Sequence, residues 1–487
     1  MGGDNRTLKL GSGTTSGHGL YVNPLLGVPW RAAGVKAFQL LSVAALAAGL
    51  SLGCAGPSLQ RRYDAGKQSW EQTAGGASLT SDGAELFESS PYLDREVLIR
   101  AVLRRNPSIR SAHYAWKAAF ERFPQETALD DPTAGLGVVP TSFGSSRVND
   151  AYKIELSQKL PFPGKLSLRG EIALAEAEAA RNDFEALQLR LATVASLLYD
   201  ELYLVRRSLE INAQHIALLE EFLQISTIRY EAGKSAQQDP LQAEVELTHA
   251  VHREVVLETE QRIAIEQINL LLHRHLDVPL PRVSPELALP PAAEADPENL
   301  MALALHGRPE LRAAEARVQG RASAVALALR EYFPDLTLVG AYNTLWQEED
   351  LQPFVGLRFD VPLQATRRRA AVEEAKARLK SAQSEYTSLE DEVRFSVQSS
   401  LHRLREAQHV MQLFGNRLLP ASRDQVEAAL AGYETGRNSF LTLIVAERNL
   451  RDTELGYEAA RTNVSRRYAE LQRAIGRTPG LAQDGEQ

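Results

Sequence analysis

Between Lys165 and Asp239 the chain holds no proline, and apolar side chains fall at Leu187, Leu191, Val194, Leu198, Leu202, Val205, Leu209, Ile216, Leu219 and Leu223. These positions are spaced mostly four and three apart, and an alternation kept up over about five heptads is the seam of a coiled coil, far beyond the globular mean of about 11 residues per helix. At about 1.5 Å per residue, roughly 65 residues make a rod on the order of 100 Å. A glycine and a polar turn then reverse the chain. A returning helix is predicted over 240–275, and its counterpart over 438–476.

The period changes to two elsewhere. Leu336, Leu338, Gly340 and Tyr342 alternate with Thr337, Val339, Ala341 and Asn343; beyond the polar turn QEEDLQ, Val355, Leu357, Phe359 and Val361 share one face. Such alternation predicts a β-hairpin with one apolar side. A weaker pair is predicted at 134–145 and 150–160, where Gly, Ser and Pro intrude. Each hairpin follows a short predicted helix, at 93–122 with Leu103, Ile109, Trp116 and Phe120 among its apolar positions, and at 298–331.

These elements occur twice. Arg-Tyr-Glu-Ala-Gly-Lys at 229–234 returns as Gly-Tyr-Glu-Thr-Gly-Arg at 432–437, an offset of 432 − 229 = 203, which also relates Ala243-Glu244 to Ala446-Glu447, Leu247 to Leu450 and Leu198 to Leu401. Upstream the register differs by a residue or two, Asn106-Pro107 pairing with Arg308-Pro309 and Pro161 with Pro362. The segment 277–297 carries six prolines, so it is extended and separates the copies. The expected organisation is 1–53 N-terminal extension and signal, 54–92 N-terminal segment, 93–276 first repeat, 277–297 linker, 298–478 second repeat and 479–487 tail.

Residues 38–52 form an apolar run, preceded by Arg31 and Lys36 and closed by Gly53-Cys54. That is a basic, then apolar, then small-residue signal, and it predicts export to the cell envelope. With cysteine next to the small residue, Leu50-Ser51-Leu52-Gly53-Cys54 resembles a bacterial lipobox, although Ser51 stands where such motifs usually carry Leu. A lipidated Cys54 is expected to begin the mature chain; the alternative is an ordinary secretory signal with an incidental cysteine. The run lies behind about 30 polar and glycine-rich residues, which a start of translation nearer to it would explain. Residues 1–53 hold two Lys, two Arg and one Asp, so the net charge of −8 becomes −11 from Cys54 onward.

That charge is spread with both signs interspersed and no basic stripe, so nucleic acid is not an expected partner. A single cysteine allows no intrachain disulfide and no Cys-based metal cluster. Past residue 53 no stretch holds the roughly 20 uninterrupted apolar residues of a membrane-spanning helix. A membrane crossing therefore has to use strands, and four strands leave two edges of unpaired amides in hydrocarbon. Three copies give twelve strands, enough to close a barrel, while their long helices close into a tube.

The order helix, hairpin, long coiled-coil pair, the QKLPFPGK turn at 158–165 and the paired Tyr-Glu-x-Gly tips resemble the TolC-like outer membrane efflux proteins over about 90–480. The resemblance implies a mainly α fold with a β-barrel part: two tandem repeats, and a homotrimer closing a 12-stranded outer-membrane barrel and a periplasmic α-helical tunnel. It implies an outer-membrane channel of a tripartite efflux or type I secretion system, partnered by a periplasmic adaptor (membrane fusion protein), an inner-membrane pump and outer-membrane lipid, with no cofactor. Cys54 is similar to the lipid attachment site of anchored members, and the PFPGK turn leans to the heavy-metal-efflux branch. The tips, at Gly233 and Gly436, correspond to the periplasmic end where the adaptor docks and the tunnel narrows. By the same resemblance Tyr433 and Asp239 belong to the links holding that end shut, joined when the trimer closes, and a gate arginine is displaced to Arg437. Thr442 and Val445 stand where some members ring the aperture with aspartates.

Bland alternatives stand beside these readings. Gly233 and Gly436 also read as plain helix caps and Asp239 as an N-cap. His249 and His252, three apart, and His273 with His275 lack a third ligand, and one Cys with three Met offers no soft-metal path. No Gly-x-Ser-x-Gly, P-loop or His-Glu-x-x-His is present, so no enzymatic activity is expected. The rival reading is a periplasmic coiled-coil adaptor or structural envelope lipoprotein, which would carry one helical hairpin between β-domains and not two hairpins each preceded by strands.

Overall fold

A proline decides where each repeat's first helix breaks. The computed structural model describes residues 56–75, 87, 92–144, 146, 150–290, 296–346 and 348–480. Helix α1 (Pro57–Gly75) falls in a segment for which no element was predicted. After strand β1 (Tyr92–Leu93) come α2 (Arg95–Arg105), α3 (Pro107–Phe120) and α4 (Arg122–Thr127). The single helix predicted over 93–122 is thus in pieces, because the α region is disfavoured before proline. Asn106 adopts φ −64°, ψ 124°, and its side chain accepts the Ser108 amide at 2.9 Å, so Pro107 begins a new helix.

Strands β2 (Thr133–Val138) and β3 (Tyr152–Leu160) lead into α5 (Lys165–Glu231), a single helix of 67 residues, and α6 (Gln238–Leu271) runs back from it. The linker contributes the two residues of β4 (Arg282–Val283), parallel to β1. Helices α7 (Pro297–Gly307) and α8 (Pro309–Arg330) repeat the break at proline and replace the one helix predicted over 298–331. Then follow β5 (Asp335–Asn343), β6 (Pro353–Asp360), α9 (Ala365–Leu413), one π-helical stretch (Phe414–Leu418), α10 (Leu419–Glu434) and α11 (Phe440–Ala474).

The four strands form one antiparallel sheet in the order β2-β3-β5-β6. Paired residues share a face, so one row runs Leu136, Ile154, Tyr342, Pro353 and the next on that side Ala134, Leu156, Gly340, Val355. With Leu338, Leu357 and Phe359 these make an apolar side interrupted by Gln158. Lys153, Glu155, Ser157, Lys159, Thr337 and Arg358 occupy the other side, along with Val339 and Phe354. Leu136, Ile154, Val355, Leu357 and Phe359 are all exposed. Neither β2 nor β6 has a second strand partner among the described residues.

Three apolar clusters line the helices away from the sheet. One joins α2, α5 and α6 to the linker through Leu98, Leu202, Ile268, Leu280 and Val283. A second joins α7, α9 and α11 through Leu300, Leu401, Leu404 and Val464. The third lies nearer the hairpin tips, with Leu219, Phe222, Ala243, Val426, Phe440 and Leu443.

Candidate functional site

Both outgoing long helices end in the same way. At the first tip the Gly233 amide donates to the Tyr230 carbonyl and the Lys234 amide to that of Arg229, each at 2.8 Å. At the second the Gly436 amide donates to Tyr433 at 3.0 Å and the Arg437 amide to Gly432 at 2.8 Å. This doubly bonded C-cap needs a left-handed residue, and Gly233 and Gly436 supply it at φ 71° and 75°.

The tips are joined to each other. The Tyr433 hydroxyl donates to Asp239 Oδ2 at 3.0 Å, linking the end of α10 to the first turn of α6. Tyr433 is only 2% exposed, its ring edge-on to Phe440 and beneath the Arg229 guanidinium, 4.8 Å from the centroid. Arg229 Nη1 also donates to the Glu434 carbonyl at 2.8 Å. Burial first, then the bond to Asp239, raises the phenol's pKa above its usual 10, which keeps it neutral and donating.

Of the residues singled out from the sequence, Tyr433 and Asp239 therefore meet, and they meet within one chain; a second copy is not needed to bring them together. Gly233 and Gly436 shape the turns beside them. Arg437 turns back instead, its Nε donating to Thr435 Oγ1 at 3.1 Å. Thr442 and Val445 lie exposed on the first turns of α11. Cys54 lies outside the described residues. His249 and His252 are exposed on α6, and among the described residues no three His, Cys, Asp or Glu side chains converge to hold a metal.

Sequence reasoning missed a ladder of polar links joining the two long hairpins behind this tip. His215 on α5, 3% exposed, reaches Glu447 Oε1 through Nδ1 at 2.9 Å and Glu454 Oε2 through Nε2 at 3.1 Å, both on α11. Two carboxylate acceptors require both ring nitrogens to donate, which only the imidazolium does. Burial alone would lower the His215 pKa, but the bonds to Glu447 and Glu454 outweigh it and the pKa is raised. Glu454 is shared with Arg423 at 3.2 Å, and Glu246 on α6 accepts from Arg448 Nε at 2.9 Å. Further along α5, Asp200 is bonded to Arg95 at 2.5 Å and Ser465 at 3.1 Å. The seam carried one polar sign, and it marks a different link: between Leu209 and Ile216 the seam position is Asn212, a buried amide that donates to the Ala250 carbonyl on α6 at 3.0 Å, within the first hairpin.

The PFPGK turn acquires a function of its own. Lys165 Nζ, 2% exposed, donates to Asp335 Oδ1 at 2.8 Å, to Glu331 Oε2 at 3.2 Å and to the Phe333 carbonyl at 3.2 Å. Asp335 Oδ1 accepts the Phe162 amide as well, at 2.9 Å, and the rings of Phe162 and Phe333 stack 4.6 Å apart. The junction of sheet and helix in one repeat is thereby tied to the start of β5 in the other.

A family described as outer membrane efflux protein matches residues 98–273 and 300–477. The toluene efflux pump outer membrane protein TtgF of Pseudomonas putida is 24% identical over 422 residues, 80% of this chain and 84% of that protein. Among solved structures, the outer-membrane channel OprN superposes with a TM-score of 0.68 at 21% identity, over 83% of this chain and 98% of its own. The open state of the Neisseria gonorrhoeae MtrE outer membrane channel gives 0.65 at 20% identity, over 81% and 91%.

Proposed function

The chain belongs to the outer membrane efflux protein family, and on that premise we propose that it is one protomer of a homotrimeric duct crossing the outer membrane and the periplasm. It is an outer-membrane channel component of efflux machinery, and the family is one of transport channels and not of enzymes. Its partners are a periplasmic adaptor docking at the Gly233 and Gly436 tips and an inner-membrane pump that supplies the energy.

The observation that carries this reading is the sheet: four strands, one exposed apolar side, one polar side and two open edges. In hydrocarbon such edges are intolerable, and three copies pairing edge to edge remove all of them while turning the polar side to a wet lumen. A 67-residue helix of about 100 Å then carries the tunnel away from the bilayer. Mass measurement in detergent should give three copies, and a stable monomer from the outer-membrane fraction would sink the proposal. Leu357→Arg on the lipid side should cost about 2–4 kcal/mol near the bilayer midplane.

The Tyr433–Asp239 bond is the proposed closing link of the aperture, each worth about 1.5–3 kcal/mol with a charged acceptor. Three such links bias a two-state aperture strongly, since about 1.4 kcal/mol is tenfold. Tyr433→Phe with Asp239→Ala should raise single-channel conductance with the trimer intact; conductance equal to the parent's would place the links elsewhere. Helix α1 supports lipidation of Cys54: Leu59 packs with Leu174, 174 − 165 = 9 residues into α5, about 14 Å from its sheet end. Intact mass of the membrane-extracted chain tests the anchor, and Cys54→Ser should still assemble.

A further inference from the structure

One cavity lies far from both the tips and the sheet. It has a volume of about 480 Å³, within the range of small-molecule sites, and sits between α5 and the linker. Arg206, Arg207 and Arg282 line it together with Tyr203, Ser284 and one acid, Glu210. That acid is already engaged, since Glu210 ion-pairs with Arg207, which also reaches Glu458 at 3.3 Å. Arg206 and Arg282 have no hydrogen bond or ion pair among the described residues, and Arg206 Nε is buried without a partner. Burial, then the like charge of Arg282, weighs against the Arg206 guanidinium and outweighs the attraction of Glu210. Arg206 is half-buried and Arg282 stands exposed at the rim, so two like charges face one cavity with only the Glu210 carboxylate, already shared with Arg207, to offset them.

The shared repeat plan does not demand arginine at 206. The second repeat carries Gln408 and His409 at the positions of Arg206 and Arg207, on a long helix of the same kind. The wall is also held in place: Arg282 is paired in register with Tyr92 between β4 and β1, and Leu280, Val283 and Leu287 on either side of it are buried.

We propose that this cavity is a binding site for an oxyanion, a carboxylate or phosphate group of a small ligand, clamped between Arg206 and Arg282 with Ser284 at its edge. The guanidinium fork matches both anions in two-point geometry. Arg206 is 206 − 165 = 41 residues along α5, about 60 Å from the sheet. On the duct reading, which this distance argument rests on, bilayer headgroups are out of reach and the ligand comes from the aqueous compartment around the tunnel.

Titration calorimetry on the full chain, solubilised from membranes, tests it with two probes: inorganic phosphate, and N-acetyl-alanyl-alanine set against its C-terminal amide. Both anions should bind, more weakly as salt rises, and the amide should not. Arg206→Gln with Arg282→Gln, placing at 206 the side chain the second repeat uses, should weaken binding at least about tenfold. Phosphate alone binding assigns a phosphorylated ligand; the dipeptide acid alone assigns a carboxylated one. Equal binding by parent and double variant, or no binding of either anion to the parent, overturns the site. So does a double variant that no longer runs as the parent's oligomer, since the arginines then meet an acid of a neighbouring copy. Binding is read without a membrane or pump, so its failure leaves the duct reading standing. Loss of outer-membrane fractionation in the parent would count against the duct alone.

Discussion

The two long helices answer the same task in different ways. The first, α5, is uninterrupted for 67 residues; the second is α9, a π-helical stretch at Phe414–Leu418, and α10 with Pro420 in its first turn. Before the π stretch, buried Tyr199, Leu202 and Val205 correspond to buried Leu401, Leu404 and Ala407, an offset of 401 − 199 = 202. After it, Leu219 and Ser226 correspond to Ser422 and Ala429, an offset of 422 − 219 = 203. One residue has been inserted, and a π turn is the device that absorbs one residue without rotating the helix beyond it. The sequence match of Leu198 with Leu401 was thus one residue out of register with the packing. Proline in a helix removes one amide donor and crowds the carbonyl four residues back, and the widened turn sits where that crowding falls.

The repeats also differ where sheet becomes helix, and the largest expected effect breaks that contrast. Lys165→Met should cost about 3 kcal/mol in denaturant unfolding, because Asp335 would keep only the more exposed Lys159, at 3.4 Å, as a charged partner. Thr366, the matching residue of the second repeat by the Pro161 and Pro362 pairing, is exposed. Thr366→Ala should therefore stay within about 0.5 kcal/mol.

Next in size is the end of each returning helix. His273 and Gly476, also 203 apart, take φ 52° and 79°. A Cβ at Gly476 would come within 2.7 Å of the Gly307 backbone, so Gly476→Ala should lower stability by about 2–3 kcal/mol. His273→Gly relieves a left-handed side chain and should raise thermal stability slightly, by about 0.5 kcal/mol.

The joint between the hairpins should make stability depend on pH. His215 has a raised folded pKa, so its contribution is complete below about 6.5 and is lost as pH rises through that higher value. His215→Gln should flatten the fall in melting temperature between near-neutral and alkaline pH. Asp200 acts in a lower window: burial pushes it up to about 6 from 3.8 despite the adjacent Arg95. The folded chain binds the extra proton there, so stability should fall as pH rises from 3.8 to about 6, then level off, and Asp200→Asn should remove that slope. The smallest effect sharpens the opening contrast: backbone amides of 414–418 should exchange hydrogen faster than those of 211–215.

Periodicity made the long hairpins, the second strand pair and the duplicated plan legible, because coiled-coil seams and half-buried strands repeat at fixed intervals in the chain itself; in the weaker first pair the strand expected over 134–145 ends at Val138, where Pro140 opens a 3-10 turn. The paired tip motifs were legible for a similar reason, since a left-handed cap needs glycine at one position. Helix α1 was not, its polar sequence borrowing order from Trp70 and Tyr63 against α3 and α4. Polar links such as His215 with Glu447, 232 residues apart, and Lys165 with Asp335, 170 apart, were also beyond reach. Charged residues carry no period, and their partners are chosen by how helices settle against each other. The apolar pattern along this chain determined which elements form and which faces are buried; only the tertiary packing decided which charges meet, which arginines are left facing a cavity, and where an inserted residue is accommodated.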